Sequence, residues 1–382
     1  MFHTDQPSTH QNVQSMGAPR RIVSRRRLLV GLAGSGAVLL LGSPAISATI
    51  KNVQRFLTTR SLNLAHASDA TAVWSDDLEY VAVPNDITSP TRLDVWGYEQ
   101  ERVISTIPFG KSDSEAYAWS PDNQHLIVMI GHLSDKASRF TNLTCWNVQA
   151  RRPLYSARGD FDLSQGTPCW SPDGEKLAVF YRGKLFVVNT TNGQTLYTQD
   201  FNASTSDSFN AIAALTWSPD SKQIALLIEQ SDPNKPSETD ACFVVIWDVT
   251  NQRQIRQLRK LTQKKIFDGV LAWSPAGDYV ATILNQRLQL LHVNDSHHNI
   301  ILPKTFDGPN HLLAWSPDGR HLAVEDNGRI SIWDSETKEQ VRTLYRGDVT
   351  FFDIYRLAWP RDGQEVVFIS AFDDLNLVHY TW

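Results

Sequence analysis

Three cysteines, Cys145, Cys169 and Cys242, are all that 382 residues contain. An odd count with no regular spacing excludes a disulfide framework, and no C-x-x-C pair is present to hold a zinc ion. The short motifs of common chemistries are missing too: there is no G-x-S-x-G elbow, no H-E-x-x-H and no EF-hand loop. Gly-Lys-Ser at 110–112 lacks the upstream glycine of a phosphate loop, and the glycines at 31–36 lack its lysine. His297-His298 and the pairs Asp76-Asp77 and Asp373-Asp374 fall in polar connections, where turn chemistry explains them. No catalytic residue, cofactor or metal site is therefore expected. Excess positive charge is also lacking. Residues 1–50 hold five of the 36 basic and one of the 41 acidic residues, leaving 31 against 40 and a formal charge of −9 on the rest. Binding driven by phosphate neutralisation is disfavoured for such a surface, so nucleic acid is not an expected partner.

What the chain has in abundance is a repeat. In "HLLAWSPDGRHLAVEDNGRISIWD" at 311–334, two short alternating segments flank Ser-Pro-Asp-Gly, and Asp-Asn-Gly leads into a third. Pro presets φ, Asp can bond its own backbone and Gly accepts positive φ, so Ser-Pro-Asp-Gly reads as a turn. Asn-Gly is a strong hairpin signal. "QVRTLY" at 340–345 can supply a fourth strand. A Trp at the same place recurs at Trp74, Trp119, Trp170, Trp217, Trp273, Trp315 and Trp359, at intervals of 45, 51, 47, 56, 42 and 44 residues. The turn that follows varies through "SDDL", "SPDN", "SPDG", "SPDS", "SPAG", "SPDG" and "PRDG". Leu78, in the glycine position, predicts a different turn in the first unit. A second Trp closes the third segment in four units, at Trp96, Trp146, Trp247 and Trp333. Four strands cannot bury both faces alone, so such units must stack.

These residues resemble the WD-repeat β-propeller family, and "LAWSPAGDYVATIL" is similar to the related TolB-type repeats. The resemblance covers roughly residues 52–382. It implies an all-β, seven-bladed propeller of four-stranded antiparallel blades, with the repeated tryptophans as inter-blade core. The last unit has segments near 355–359, 364–371 and 374–381 and no fourth. "NVQRFLTTRSL" at 52–62 has no other place, so this N-terminal strand is expected to pair with 374–381 and close the ring.

Residues 1–50 are read separately, as a signal peptide or an N-terminal membrane anchor ahead of the propeller at 51–382. No charge occurs from Leu28 to Ile50, and the apolar core Leu28–Leu41 is shorter than the ~20 residues of a typical span. "SRRRLL" at 24–29 resembles the twin-arginine export motif, which would make Arg25 and Arg26 the export signal and the domain extracytoplasmic. Cleavage after Ala45 or Ala48 would release it. Without cleavage the membrane would be touched only through this segment.

Function is read from where the repeat is irregular. The Ser-Pro-Asp-Gly turns lie on one face; connections from second to third strand and from blade to blade lie on the other, called the top. Top connections are long at 84–92, 131–142, 230–241, 156–168, 200–212 and 345–355. Loops held on a rigid scaffold carry binding residues. The expectation is a non-catalytic scaffold for a protein or peptide partner, with Arg158, Phe161, Phe209, Arg346 and Phe352 as contacts, because Arg and aromatic residues dominate interface energy. The alternatives are an enzyme, a hydrolase or lyase with a composite site at the channel mouth, and an envelope glycan-binding module.

Overall fold

In the computed structural model, seven four-stranded antiparallel sheets follow one another along the chain. The structure describes residues 56–62, 72–86, 89–111, 114–133, 139–159, 168–181, 183–201, 209–231, 241–262, 269–306, 311–326, 328–344, 353–360, 363, 365–372 and 374–381. Sheet one is Val73–Trp74, Tyr80–Pro84, Arg92–Gly97 and Arg102–Pro108; sheet two is Ser114–Trp119, His125–Leu133, Arg139–Asn147 and Arg152–Gly159. Sheet three is Cys169–Trp170, Lys176–Tyr181, Lys184–Asn189 and Thr195–Asp200; sheet four is Phe209–Trp217, Gln223–Ser231, Ala241–Asp248 and Arg253–Thr262. Sheet five is Leu271–Trp273, Tyr279–Leu284, Arg287–His292 and Ile300–Thr305; sheet six is Leu313–Trp315, His321–Asp326, Arg329–Asp334 and Gln340–Leu344. Sheet seven takes Asp353–Ala358, Glu365–Phe372 and Asp374–Thr381, and its fourth place, beside Asp374–Thr381, goes to Phe56–Leu62. From sheet one to sheet seven, successive first strands lie against one another, so they form the inner side and the fourth strands the outer.

The recurrent Ser and Asp are turn-closing groups. In sheet three the Ser171 hydroxyl donates to Asp173 at 2.5 Å and accepts the Lys176 N–H at 2.9 Å, while Asp173 accepts the Glu175 N–H at 2.9 Å. Sheet six repeats this with Ser316, Asp318, Arg320 and His321. Every such turn puts its fourth residue at positive φ: Leu78 61°, Asn123 57°, Gly174 74°, Ser221 60°, Gly277 85°, Gly319 72° and Gly363 68°. The different turn expected at Leu78 is not found. Ser75 donates to Asp77 at 2.5 Å and the Leu78 N–H reaches the Ser75 carbonyl at 3.1 Å, as in the other units. The reason is packing. Leu78 is buried with Trp74, Val81 and Tyr98. Burying a leucine is worth about 1.5–3 kcal/mol, which offsets the roughly 1–2 kcal/mol cost of the left-handed conformation. Asn123 and Ser221 instead use their side chains: Asn123 accepts the Asp76 N–H of sheet one at 2.9 Å, and Ser221 accepts the Asp173 N–H of sheet three at 3.0 Å.

The first-strand tryptophans join neighbouring sheets. Trp119, Trp170, Trp217 and Trp315 donate their indole N–H groups to the carbonyls of Val73, Ala118, Cys169 and Ala272, at 2.9, 3.1, 3.0 and 3.1 Å. Each acceptor is the residue just before the tryptophan of the preceding sheet. Trp273 and Trp359 turn the other way and donate to Gly277 and Gly363 in their own turns. Six of these tryptophans are buried and Trp170 is half-buried. Core clusters span adjacent sheets, as sequence alone leads one to expect of repeats that bury nothing by themselves. Val367 of sheet seven belongs to the same cluster as Trp74 of sheet one.

Fourth strands begin with a bulge. Pairing skips Leu154 in sheet two, Leu196 in sheet three, Ile255 in sheet four and Val341 in sheet six. Each skipped residue is an exposed aliphatic side chain. The extra residue breaks the two-residue alternation and twists the outer edge, which hinders pairing with another chain.

Candidate functional site

The two faces of the propeller differ. On the top face, sheets two and four stand taller than most of their neighbours. Their second strands run nine residues each, against five or six in sheets one, three, five and six. Part of what reads as long connection is therefore strand. His125–Leu133 and Arg139–Asn147 take in much of 131–142, the connection at 200–212 gives way to strand at Phe209, and that at 345–355 does so at Asp353. The strands carry polar residues such as Thr141, Asn142 and Asn210 at this height, which disguises them.

The proposed contact residues fare unequally. Arg158 is exposed near the top end of the outer strand of sheet two, opposite Asn142. Phe209 opens the first, inner strand of sheet four, paired with Ser231, so its backbone stands at the top of that strand. Phe161, Arg346 and Phe352 lie outside the described residues, as do Arg25 and Arg26. Arg158 and Phe209 are on different sheets, one outer and one inner.

On the opposite face a cavity of about 560 Å³ opens between sheets two and three, lined by Ser120, Asp122, His125, Leu154, Trp170 and Asp173 among others. Ser, His and Asp together invite a hydrolytic reading, and the geometry gives them another role. The Ser120 hydroxyl donates to Asp122 and accepts the backbone N–H of His125 at 2.9 Å, so it makes the same turn-closing contacts as Ser171 and Ser316. His125 Nδ1 stands 3.5 Å from Asp122, and its other ring nitrogen is 3.3 Å from the Asn147 amide. Cys145, also in the lining, is buried, and burial pushes its thiol up to about 12, so it is a neutral thiol at neutral pH. The cavity thus presents a turn, a neutral thiol and an exposed leucine. Among the described residues no group of three or more His, Cys, Asp or Glu side chains could hold a metal ion.

Comparison with known proteins agrees with the fold. Residues 304–334 match the family model described as "WD40: WD domain, G-beta repeat". The β-propeller domain of Cps50 (Swd1) from Myceliophteria thermophila superposes with a TM-score of 0.57 over 85% of this chain and 99% of that one, at 12% identity. The chain is thus a β-propeller carrying a WD-type repeat. It is 42% identical over 53 residues to "Cell division cycle 20.1, cofactor of APC complex" of Arabidopsis thaliana, a match covering 14% of this chain and 11% of that protein. It is 25% identical over 182 residues to "Anaphase-promoting complex subunit cdc20" of Dictyostelium discoideum, covering 44% of this chain and 32% of that one. The match thus spans about a third or less of either relative.

Proposed function

We propose that this β-propeller is an exported, non-catalytic scaffold that binds a protein or peptide partner through its top face. The observation that carries the reading is the contrast between the faces. On the lower face Ser, Asp and the positive-φ residues are committed to closing turns and joining sheets, whereas the top face varies in strand height and connection length beyond what stacking requires. Arg158, Phe161, Phe209, Arg346 and Phe352 are the contacts, since truncating a central Arg or aromatic residue of an interface costs about 2 kcal/mol or more. The names of the relatives, a cofactor and a subunit of a complex, favour a role in assembly. The ring is closed by Phe56–Leu62, a reading supported by its place beside Asp374–Thr381 and by the packing of Val367 with Trp74. Residues 1–50 direct export through Arg25 and Arg26 and are either cleaved or retained as an anchor. Affinity capture from the native cell with the full chain, compared with the chain carrying Arg158→Ala and Arg346→Ala, tests this. A protein recovered with the first and lost with the second is the expected result; equal recovery with both would place the binding surface elsewhere.

A further inference from the structure

The outer strand of sheet four, Arg253–Thr262, is ten residues long and is paired irregularly. Its register against Ala241–Asp248 slips twice, leaving first Ile255 and then Leu258 without a partner. In a regular strand, arginines three apart would alternate between the two faces. With the two bulges, Arg253, Arg256 and Arg259 stand opposite Asp248, Ile246 and Val244, which are alternate residues of the neighbouring strand. All three arginines therefore share one face. That face looks toward sheet five, because Val244 and Ile246 are packed with Trp273, Val280 and Leu291. Arg256 reaches across and donates to the Asn294 carbonyl. On the facing wall Ile301, exposed, is paired with Gln289, which shares a face with Leu291.

The segment that carries this ladder holds no acid of its own. No Asp or Glu occurs between Asp248 and Asp268, a stretch that also holds Lys260, Lys264 and Lys265. Asp248, directly across from Arg253, attracts it but is bonded to the Asn251 backbone and side-chain amides at 2.9 and 2.8 Å, and Arg256 and Arg259 stand opposite apolar residues. The Nε of Arg259 is buried and has no acceptor. Same-face residues on a strand repeat at roughly 6.5–7 Å, which is also the repeat of alternate side chains in an extended peptide. A guanidinium receives a carboxylate through two parallel N–H bonds.

We infer that the groove between sheets four and five binds an extended acidic segment of a partner protein, its carboxylates at alternate positions facing Arg253, Arg256 and Arg259. The partly buried Arg259 and the apolar wall at Ile301 favour a chain laid into the groove over a flat lipid surface, and the acidity of the remaining domain opposes a nucleic-acid backbone. The site is on the rim, separate from the top-face contacts, so either can fail without the other.

The test uses the full chain and a fluorescein-labelled peptide of alternating Glu and Thr, read by fluorescence anisotropy. Binding is expected, weakening as salt rises. Each of Arg253→Gln, Arg256→Gln and Arg259→Gln should weaken it roughly threefold and the triple variant about thirtyfold, the scale of partly exposed ion pairs. Arg152→Gln, an exposed arginine on the outer strand of sheet two, should change nothing. Probes that need no variant guard against misfolding. A peptide of alternating Lys and Thr should not bind, and one with its Glu residues gathered in a block should bind several-fold more weakly. Equal binding of either, no binding of the alternating Glu peptide, or tighter binding of phosphatidylserine vesicles or of oligothymidine would overturn the inference.

Discussion

The indole N–H of Trp217, on the inner strand of sheet four, donates to the backbone carbonyl of Cys169 in sheet three across 3.0 Å. The same bond recurs from Trp119, Trp170 and Trp315 to the sheet before each. The repeated tryptophan thus fills the space between sheets and also ties the backbone of one to the side chain of the next. Trp217→Phe keeps most of the ring and removes the donor, leaving the Cys169 carbonyl unmet. It should cost about 1 kcal/mol, and Trp217→Ala about 3–5 kcal/mol. Denaturant unfolding of the two variants checks this; a Phe variant as stable as the parent would show that the bond adds nothing.

Leu78 gives an inverted order of substitutions. Leu78→Ala loses the buried side chain and keeps a Cβ at φ 61°. Leu78→Gly loses the same side chain and relieves the conformation, which favours it by about 1 kcal/mol. At a buried leucine in ordinary backbone Ala would be the milder change. Here melting should rank the parent first, Gly second and Ala last, and Ala above Gly would contradict the turn.

Strong acid should weaken sheet six through Asp334. The Thr337 backbone N–H, the Arg320 guanidinium and the Glu336 N–H hold its carboxyl down at about 2. In Asp318 the Ser316 hydroxyl and then the Arg320 N–H act in the same direction. Both folded values lie below the unfolded carboxylate value of about 3.9. The stabilisation is therefore complete above that value and is lost as pH falls through the folded one. Asp334→Asn should melt lower than the parent at pH 6, with the gap closing as pH approaches 2. A gap that stays constant across this range would contradict the linkage.

The proposed closure of the ring by Phe56–Leu62 has a direct consequence. Deleting residues through Leu62 uncovers the Asp374–Thr381 edge, so the shortened chain should melt several degrees lower and associate in solution. Calorimetry with light scattering reads both effects. An unchanged melting temperature would mean that the segment closes nothing.

Export is tested at the arginines. Replacing Arg25 and Arg26 by Lys should hold the chain in the cytoplasmic fraction, and the intact mass of the exported parent distinguishes cleavage from anchoring. Export of the Lys variant at the parental level would refute the twin-arginine reading.

The repeat was legible because its signals are local: a Trp, a Ser and an Asp at fixed separations, each with a contact that the next unit repeats. Leu78 was misread because its conformation is stabilised by Trp74, Val81 and Tyr98, which the turn sequence does not contain. Arg253, Arg256 and Arg259 look scattered in sequence, since bulges at Ile255 and Leu258 are what bring them to one face. The height of sheets two and four was hidden by polar residues on their upper strands, which read as loop. The candidate contacts were chosen by residue type and loop position alone. Of these, Arg158 is seen exposed and Phe209 is placed by its backbone.

The central claim is that a protein partner docks on the top face. Once a partner is captured, its affinity should be measured for the parent, for single Ala variants of Arg158, Phe161, Phe209, Arg346 and Phe352, and for Glu175→Ala on the opposite face, each with a melting curve. At least one top-face variant should lose about 2 kcal/mol of binding with melting unchanged, while Glu175→Ala binds as the parent does. Parental affinity in all five top-face variants, or loss of binding only where the variant also unfolds, would contradict it.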